Sequence, residues 1–199
     1  GIATVVSFSL GTFMGVVAAW NRGKPIDSAI SLSAIFSSSV PAVVVSLIML
    51  FVFGYTLSWF PNGYAANPLI DPAWNWEYIS SVLYHGTLPM LTLVIVLTGG
   101  FAVTMRNNMI YLLGEDYIVM ARAKGLTDSR VMLWYAARNA LLPTVSSLAI
   151  AIGTILGGSL VTEVVFNYPG LGNTLYQAII ARDYPVIQAC LLFIALVYV

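Results

Sequence analysis

From Ile2 to Trp20 the chain runs about 19 residues without a charge. As a helix rising about 1.5 Å per residue, such a run crosses a hydrocarbon core of roughly 30 Å. Lipid offers the backbone no hydrogen-bond partners, so a segment placed there must satisfy its own N–H and C=O groups, and for a single segment that means a helix. Apolar stretches recur at 29–60, 87–105 and 140–161 and again from Pro185. Composition agrees: 59% of residues are hydrophobic and 8% are charged, with a mean hydropathy of +0.89, whereas soluble domains carry about 25% charged residues. The expected fold is an all-α, polytopic transmembrane bundle of five spans. The chain reads as one membrane domain over 1–199 and is expected to be a piece of a longer subunit, truncated at both ends.

Small residues mark how the first span packs. Ala3, Ser7, Gly11, Gly15 and Ala19 recur every fourth position and form a shallow face where another helix can approach closely. After a short basic turn, Asp27 or Ser28 can cap the next helix. The 29–60 stretch is longer than one perpendicular span needs and holds Pro41 after Ser37, Ser38 and Ser39, so a tilted or kinked helix is expected. Serine hydroxyls there either bond back to their own helix or give a neutral lining to a pathway. Residues 61–78 form an aromatic-rich connection suited to the membrane interface, with His85 just before the third span. Gly153 and Gly157 carry the small-residue spacing into the fourth span. The single cysteine, Cys190, reads as an inert buried thiol.

The densest charge lies in 115–143, which holds four of the eight basic residues. Helix formers over 117–124 lead to Gly125, a residue suited to the left-handed conformation that ends many helices. Thr127 or Asp128 can cap a second helix, which becomes apolar and runs into the fourth span. The pattern is a helix, a turn and a helix hung between two spans, as if made to dock. Arg22, Lys24, Arg106, Arg122, Lys124, Arg130 and Arg138 fall on one side of the five spans and only Arg182 on the other. The positive-inside rule therefore puts the 115–139 hairpin in the cytoplasm.

No Asp, Glu, Lys or Arg is expected deep within a span, so the proton or sodium relays of coupled carriers are not visible. The sequence also has no G-x-x-x-x-G-K-[ST] phosphate loop, H-E-x-x-H zinc pair or G-x-S-x-G nucleophile turn. An enzyme is not expected. Energy for uphill movement would enter from a partner.

These residues carry a resemblance. A-R-A-K-G-L-T-D-S-R-V with R-N-A-L-L-P downstream is similar to the EAA loop of permease subunits in binding-protein-dependent ABC importers. The segments G-V-V-A-A-W with Asp27, E-D-Y-I-V-M-A-R-A-K-G, and E-V-V-F-N-Y-P-G-L-G followed by A-R-D-Y-P resemble the dipeptide, oligopeptide and nickel branch. Two positions depart from the general loop: Val119 stands at its acidic position and Arg138 at its proline.

The resemblance implies the type I permease fold, in a bacterial or archaeal inner membrane, and a translocation path for peptides delivered by an external binding protein. Nickel or another small solute is the alternative cargo, and a non-transporting scaffold is the alternative of another class. Implied partners are a second homologous permease, two cytoplasmic ABC ATPases carrying ATP and Mg, an extracytoplasmic solute-binding protein and the lipid bilayer. No nucleic acid, metal or cofactor is implied for this chain. Ala121, Arg122, Ala123, Lys124, Gly125 and Leu126 would couple to the ATPase. Ser37, Ser38, Ser39 and Pro41 are candidates for the path. Glu163, Phe166, Pro169, Gly170 and Gly172 are candidates for an external gate or binding-protein contact.

Overall fold

The computed structural model describes residues 1–156 and 159–198, and among these every regular element is a helix. Helix α1 spans Ile2–Trp20, as the uncharged run dictates. Helix α2 spans Pro25–Ser39, with Pro25 in the first turn, where its missing N–H costs nothing. The expected bend at Pro41 is instead a break. Proline has no N–H to continue the helix and pushes the residue before it towards extended backbone. Pro41 accordingly caps a new helix, α3, Ala42–Met49, which widens into a π-helical turn over Leu50–Thr56.

The third expected span is longer than its apolar core. Helix α4 runs Trp76–Leu112, 37 residues with Pro89 inside it, so His85, just before the expected span, lies in the helix that carries it. Its Nδ1 is 2.8 Å from the Ser81 carbonyl. Short helices α5, Asp116–Ala123, and α6, Asp128–Arg130, follow, then a π-helical turn over Val131–Ala137 that continues as α7, Arg138–Leu156. The chain ends with α8, Leu160–Val165, α9, Leu171–Ala181, and α10, Tyr184–Tyr198. By length and composition α1 and α4 can each cross a membrane, and α2 with α3 make a third crossing if counted together. The expected fourth and fifth spans correspond to α7 and α10, of 19 and 15 residues. Gly157 lies outside the described residues.

The chain divides into two compact units. One comprises Thr4–Ser39 and Ile95–Ile150, and its core is the small-residue face of α1 against α4. A Cβ added at Gly11 would lie 2.6 Å from both the Phe101 Cβ and the Thr98 carbonyl, and one at Gly15 2.6 Å from the Ala102 carbonyl. Backbone fills the space a side chain would need. Phe8 meets Phe101 edge-on at 5.5 Å.

The other unit comprises Gly1–Ala3, Val40–Val94 and Ala151–Val199. Here α8 packs on α3 and α9, and α9 on α10. The connection over residues 57–75 is tied down at several points. The Tyr84 hydroxyl donates to the Trp59 carbonyl at 2.6 Å, the Asn67 N–H donates to the Ser81 hydroxyl at 2.8 Å, and the Tyr64 N–H donates to the Asn167 carbonyl at 3.3 Å. Trp59, Trp74 and Trp76 remain exposed.

Candidate functional site

The 115–139 hairpin forms as a turn between α5 and α6. Gly125 adopts φ +75°, and the backbone closes around it in a paired pattern: the Leu126 N–H donates to the Ala121 carbonyl at 3.4 Å and the Gly125 N–H to the Arg122 carbonyl at 2.9 Å. This is the Schellman arrangement, which satisfies carbonyls at a helix C-terminus and needs a left-handed residue at this position. Thr127 then sits at the N-cap of α6 with extended backbone, though its side chain makes no capping bond.

One face of the hairpin is its anchor. Ile118 and Val131 are 0% exposed and pack with Ala121, Ala136, Ala137 and Ala140 on Val16 and Ala19 of α1 and on Met105 and Met109 of α4. Full burial of an Ile or Val side chain contributes about 1.5–3 kcal/mol, so this seam fixes the hairpin. The six residues expected to form the docking surface therefore divide. Ala121 is buried and Leu126 turns half inward against the same core, while Arg122, Ala123, Lys124 and Gly125 are exposed. No atom lies within 4 Å of where a Gly125 Cβ would stand. Arg122 reaches back over the Trp20 ring, 5.7 Å from its centroid, a cation–π contact.

The candidate path residues follow the blander of their two readings in hydrogen bonding. Ser37 donates to the Ala34 carbonyl, and Ser38 and Ser39 both donate to that of Ile35. Such back-bonding satisfies the hydroxyls and loosens a helix, here just ahead of the break at Pro41. Ser37 and the Ala34 carbonyl also fill the space beside Gly99. Ser38 and Ser39 are exposed.

The candidate gate segment is more helical and more tightly braced than a simple turn. Glu163 and Phe166 lie at the end of α8, with Phe166 buried, and α9 begins just after Gly170. The Glu163 carboxylate accepts from the Ser159 N–H at 3.1 Å and from the Asn173 N–H at 3.0 Å. The Asn173 amide donates to the Tyr168 carbonyl at 3.1 Å. A Cβ on Gly170 would strike the Glu163 carboxylate, and one on Gly172 would lie 2.5 Å from the Leu160 Cα. Pro169 is exposed at the apex.

Sequence reasoning missed the strongest polar contact. Asp27, read only as a cap, accepts both arms of the Arg106 guanidinium, Nε to Oδ1 at 2.6 Å and Nη2 to Oδ2 at 2.9 Å. The partners are 79 residues apart, beyond any local pattern. Trp134 was also passed over: it projects from the hairpin at 64% exposure, beside exposed Leu133. A tryptophan within a basic, otherwise docking-like segment was the available signal. Among the described residues no group of three or more His, Cys, Asp or Glu side chains is placed to hold a metal.

Comparison with known proteins gives a consistent answer. A family described as the inner membrane component of binding-protein-dependent transport systems matches residues 11–199. A putative peptide transport system permease protein of Brucella abortus is 35% identical over 199 residues, covering 100% of this chain and 61% of the relative. The di/tripeptide transport system permease protein of Pseudomonas aeruginosa is 33% identical over 206 residues, covering 97% and 61%. A probable peptide ABC transporter permease protein of Sinorhizobium fredii is 33% identical over 200 residues, covering 100% and 61%. The chain thus spans about three fifths of the length of these relatives.

Proposed function

Since this chain belongs to the family of inner membrane components of binding-protein-dependent transport systems, we propose that it is the greater part of a permease subunit of an ATP-driven peptide importer. The cargo reading rests on relatives named for peptide or di/tripeptide transport. The subunit would pair with a second permease, receive peptide from an extracytoplasmic binding protein, and dock two cytoplasmic ATPases that hydrolyse ATP on their own chains. This chain performs no hydrolysis in that scheme.

The hairpin carries the mechanism. Its buried face is rooted in α1 and α4, while Arg122, Ala123, Lys124 and Gly125 stand open on the other. A surface fixed from behind and free in front suits a lever. Closure of the ATPases would push on the exposed turn, and the rigid seam behind it would carry that displacement into the membrane helices, rocking the permease pair between inward-facing and outward-facing states. The 163–173 segment, on the outer side in this orientation, would act as a preformed cap or binding-protein contact. The serines before Pro41 would leave any path there uncharged, with selection made outside.

The reading is tested with the full-length permease assembled with its partners in proteoliposomes. ATP hydrolysis should rise on adding external peptide together with the binding protein, and labelled peptide should accumulate inside. ATP hydrolysis indifferent to both additions, with no uptake, would make the chain a scaffold.

A further inference from the structure

The Asp27 carboxylate is unusually complete for a group at the edge of a membrane helix. Each of its oxygens takes two donors: Oδ1 from Arg106 Nε and the Ser31 hydroxyl, Oδ2 from Arg106 Nη2 and the Gly23 N–H. Both side chains are mostly covered, Asp27 at 7% exposure and Arg106 at 24%. A void beside them, lined by Ala18, Ser31, Ala34 and Arg106 among others, is about 10 Å³, hardly enough for one water. Solvent therefore offers the pair little alternative to each other, and removing one partner would strand a charge.

Its place in the unit gives it a task. Gly11 and Gly15 set how close α1 comes to α4, but close packing of small residues resists sliding along the helix axis only weakly, and between helices in lipid the hydrophobic effect adds little. A bidentate, planar pair is directional. Arg106 is the next residue after Met105, which with Met109 forms the α4 side of the hairpin seam, and Val16 and Ala19 form the α1 side. Asp27 lies in the first turn of α2 and also holds the Gly23 N–H of the turn that leaves α1, so the ion pair ties the α1–α2 corner to α4 at the end nearest the hairpin.

We propose that Asp27 and Arg106 are positioning residues for transport: they make α1, the start of α2 and the second half of α4 move as one body with the hairpin, so that displacement of the hairpin becomes displacement of the helices. This rests on the permease reading above. Neither residue touches cargo or nucleotide in this role. Without the pair the hairpin still stands on its apolar seam and still docks, but its motion is spent in slippage between the α1–α2 corner and α4.

The test is the number of peptides transported per ATP hydrolysed, which a merely stabilising contact would leave unchanged in the complexes that assemble. Full-length parent, Arg106→Gln, Arg106→Lys and the exchange Asp27→Arg with Arg106→Asp are assembled with their partners in proteoliposomes. Arg106→Gln should hydrolyse ATP at close to the parental rate while transport per ATP falls about tenfold, within the span that coupling mutations reach. Arg106→Lys, which keeps the charge but loses the fork, should fall between the two, and the exchange should recover part of the loss. An unchanged ratio in Arg106→Lys and Arg106→Gln overturns the proposal. If Arg106→Gln does not assemble, an exchange variant that assembles without regaining the ratio overturns it as well. A parent complex that hydrolyses ATP but moves no peptide would instead refute the permease reading.

Discussion

Two turns of this molecule depend on glycine for opposite reasons. At Gly125 the backbone is left-handed and the surroundings are empty; the constraint is conformational. At Gly170 and Gly172 the surroundings are full, with Glu163 and Leu160 where a Cβ would go, and Gly170 has an ordinary extended φ of −142°; the constraint is space. The first turn presents its backbone outward and is held only from behind. The second is closed on itself, its carboxylate consumed by its own N–H groups. An open turn suits a surface that exchanges partners, and a closed one suits a part that must keep its shape.

That contrast is broken most severely at the closed turn. Gly172→Val should destabilise the folded subunit by about 3 kcal/mol or more, because its Cβ meets Leu160 backbone that cannot move aside as a side chain would. Thermal unfolding of the purified complex would register the loss, and an unchanged midpoint would show that α8 and α9 can separate without penalty. At the open turn the effect should be smaller and differently distributed. Gly125→Val should cost about 2 kcal/mol of local strain with membrane insertion intact, while co-purification of the ATPase and peptide uptake both fall. Gly125→Asn sharpens the point, since asparagine tolerates positive φ and the space is free; it should restore both. Normal uptake by the valine variant would remove the turn from the mechanism.

Two lesser substitutions refine the picture. Glu163→Gln keeps one acceptor oxygen but turns an amide N–H₂ towards backbone donors, and should cost about 1 kcal/mol, seen as faster hydrogen exchange at Asn173. Ser38→Ala should change stability by less than about 0.5 kcal/mol, because its hydroxyl serves only the Ile35 carbonyl. A marked fall in uptake with stability unchanged would return Ser38 to the translocation path.

The sequence was most legible where one local rule decided the outcome. Trp20 ends α1 because the charge-free run ends there, the every-fourth-residue face of α1 is the buried face, and Gly125 is left-handed because a helix must stop before Thr127 starts another. It was less legible where two rules competed. Pro41 was read as a bend, but three back-bonding serines before it and the restriction it places on Val40 together produce a break. His85 was placed just before the third span, but the helix carrying that span starts earlier, at Trp76, where the Asn75 side chain accepts from the Tyr78 N–H and the helix then runs well past its apolar core. Within the hairpin, the family resemblance marked 121–126 as a unit without saying which way each residue faces. Ala121 is small because it is buried in the seam, and Ala123 is small and exposed. The Asp27–Arg106 pair was invisible for a plain reason: 79 residues of chain separate partners that only the packing of the start of α2 beside α4 brings together.

The contrast between the two turns becomes a direct test once each is assigned to a side of the membrane. In full-length protein with Cys190→Ser, single cysteines are placed at two exposed positions, Ser129 behind the hairpin turn and Pro169 at the apex of the braced one. Intact cells are treated with a membrane-impermeant maleimide. The cysteine at 169 should be labelled from outside, and the one at 129 only after the inner face is opened. The reverse pattern, or labelling of both from outside, would put the hairpin beyond the reach of any cytoplasmic ATPase and remove it from the coupling mechanism.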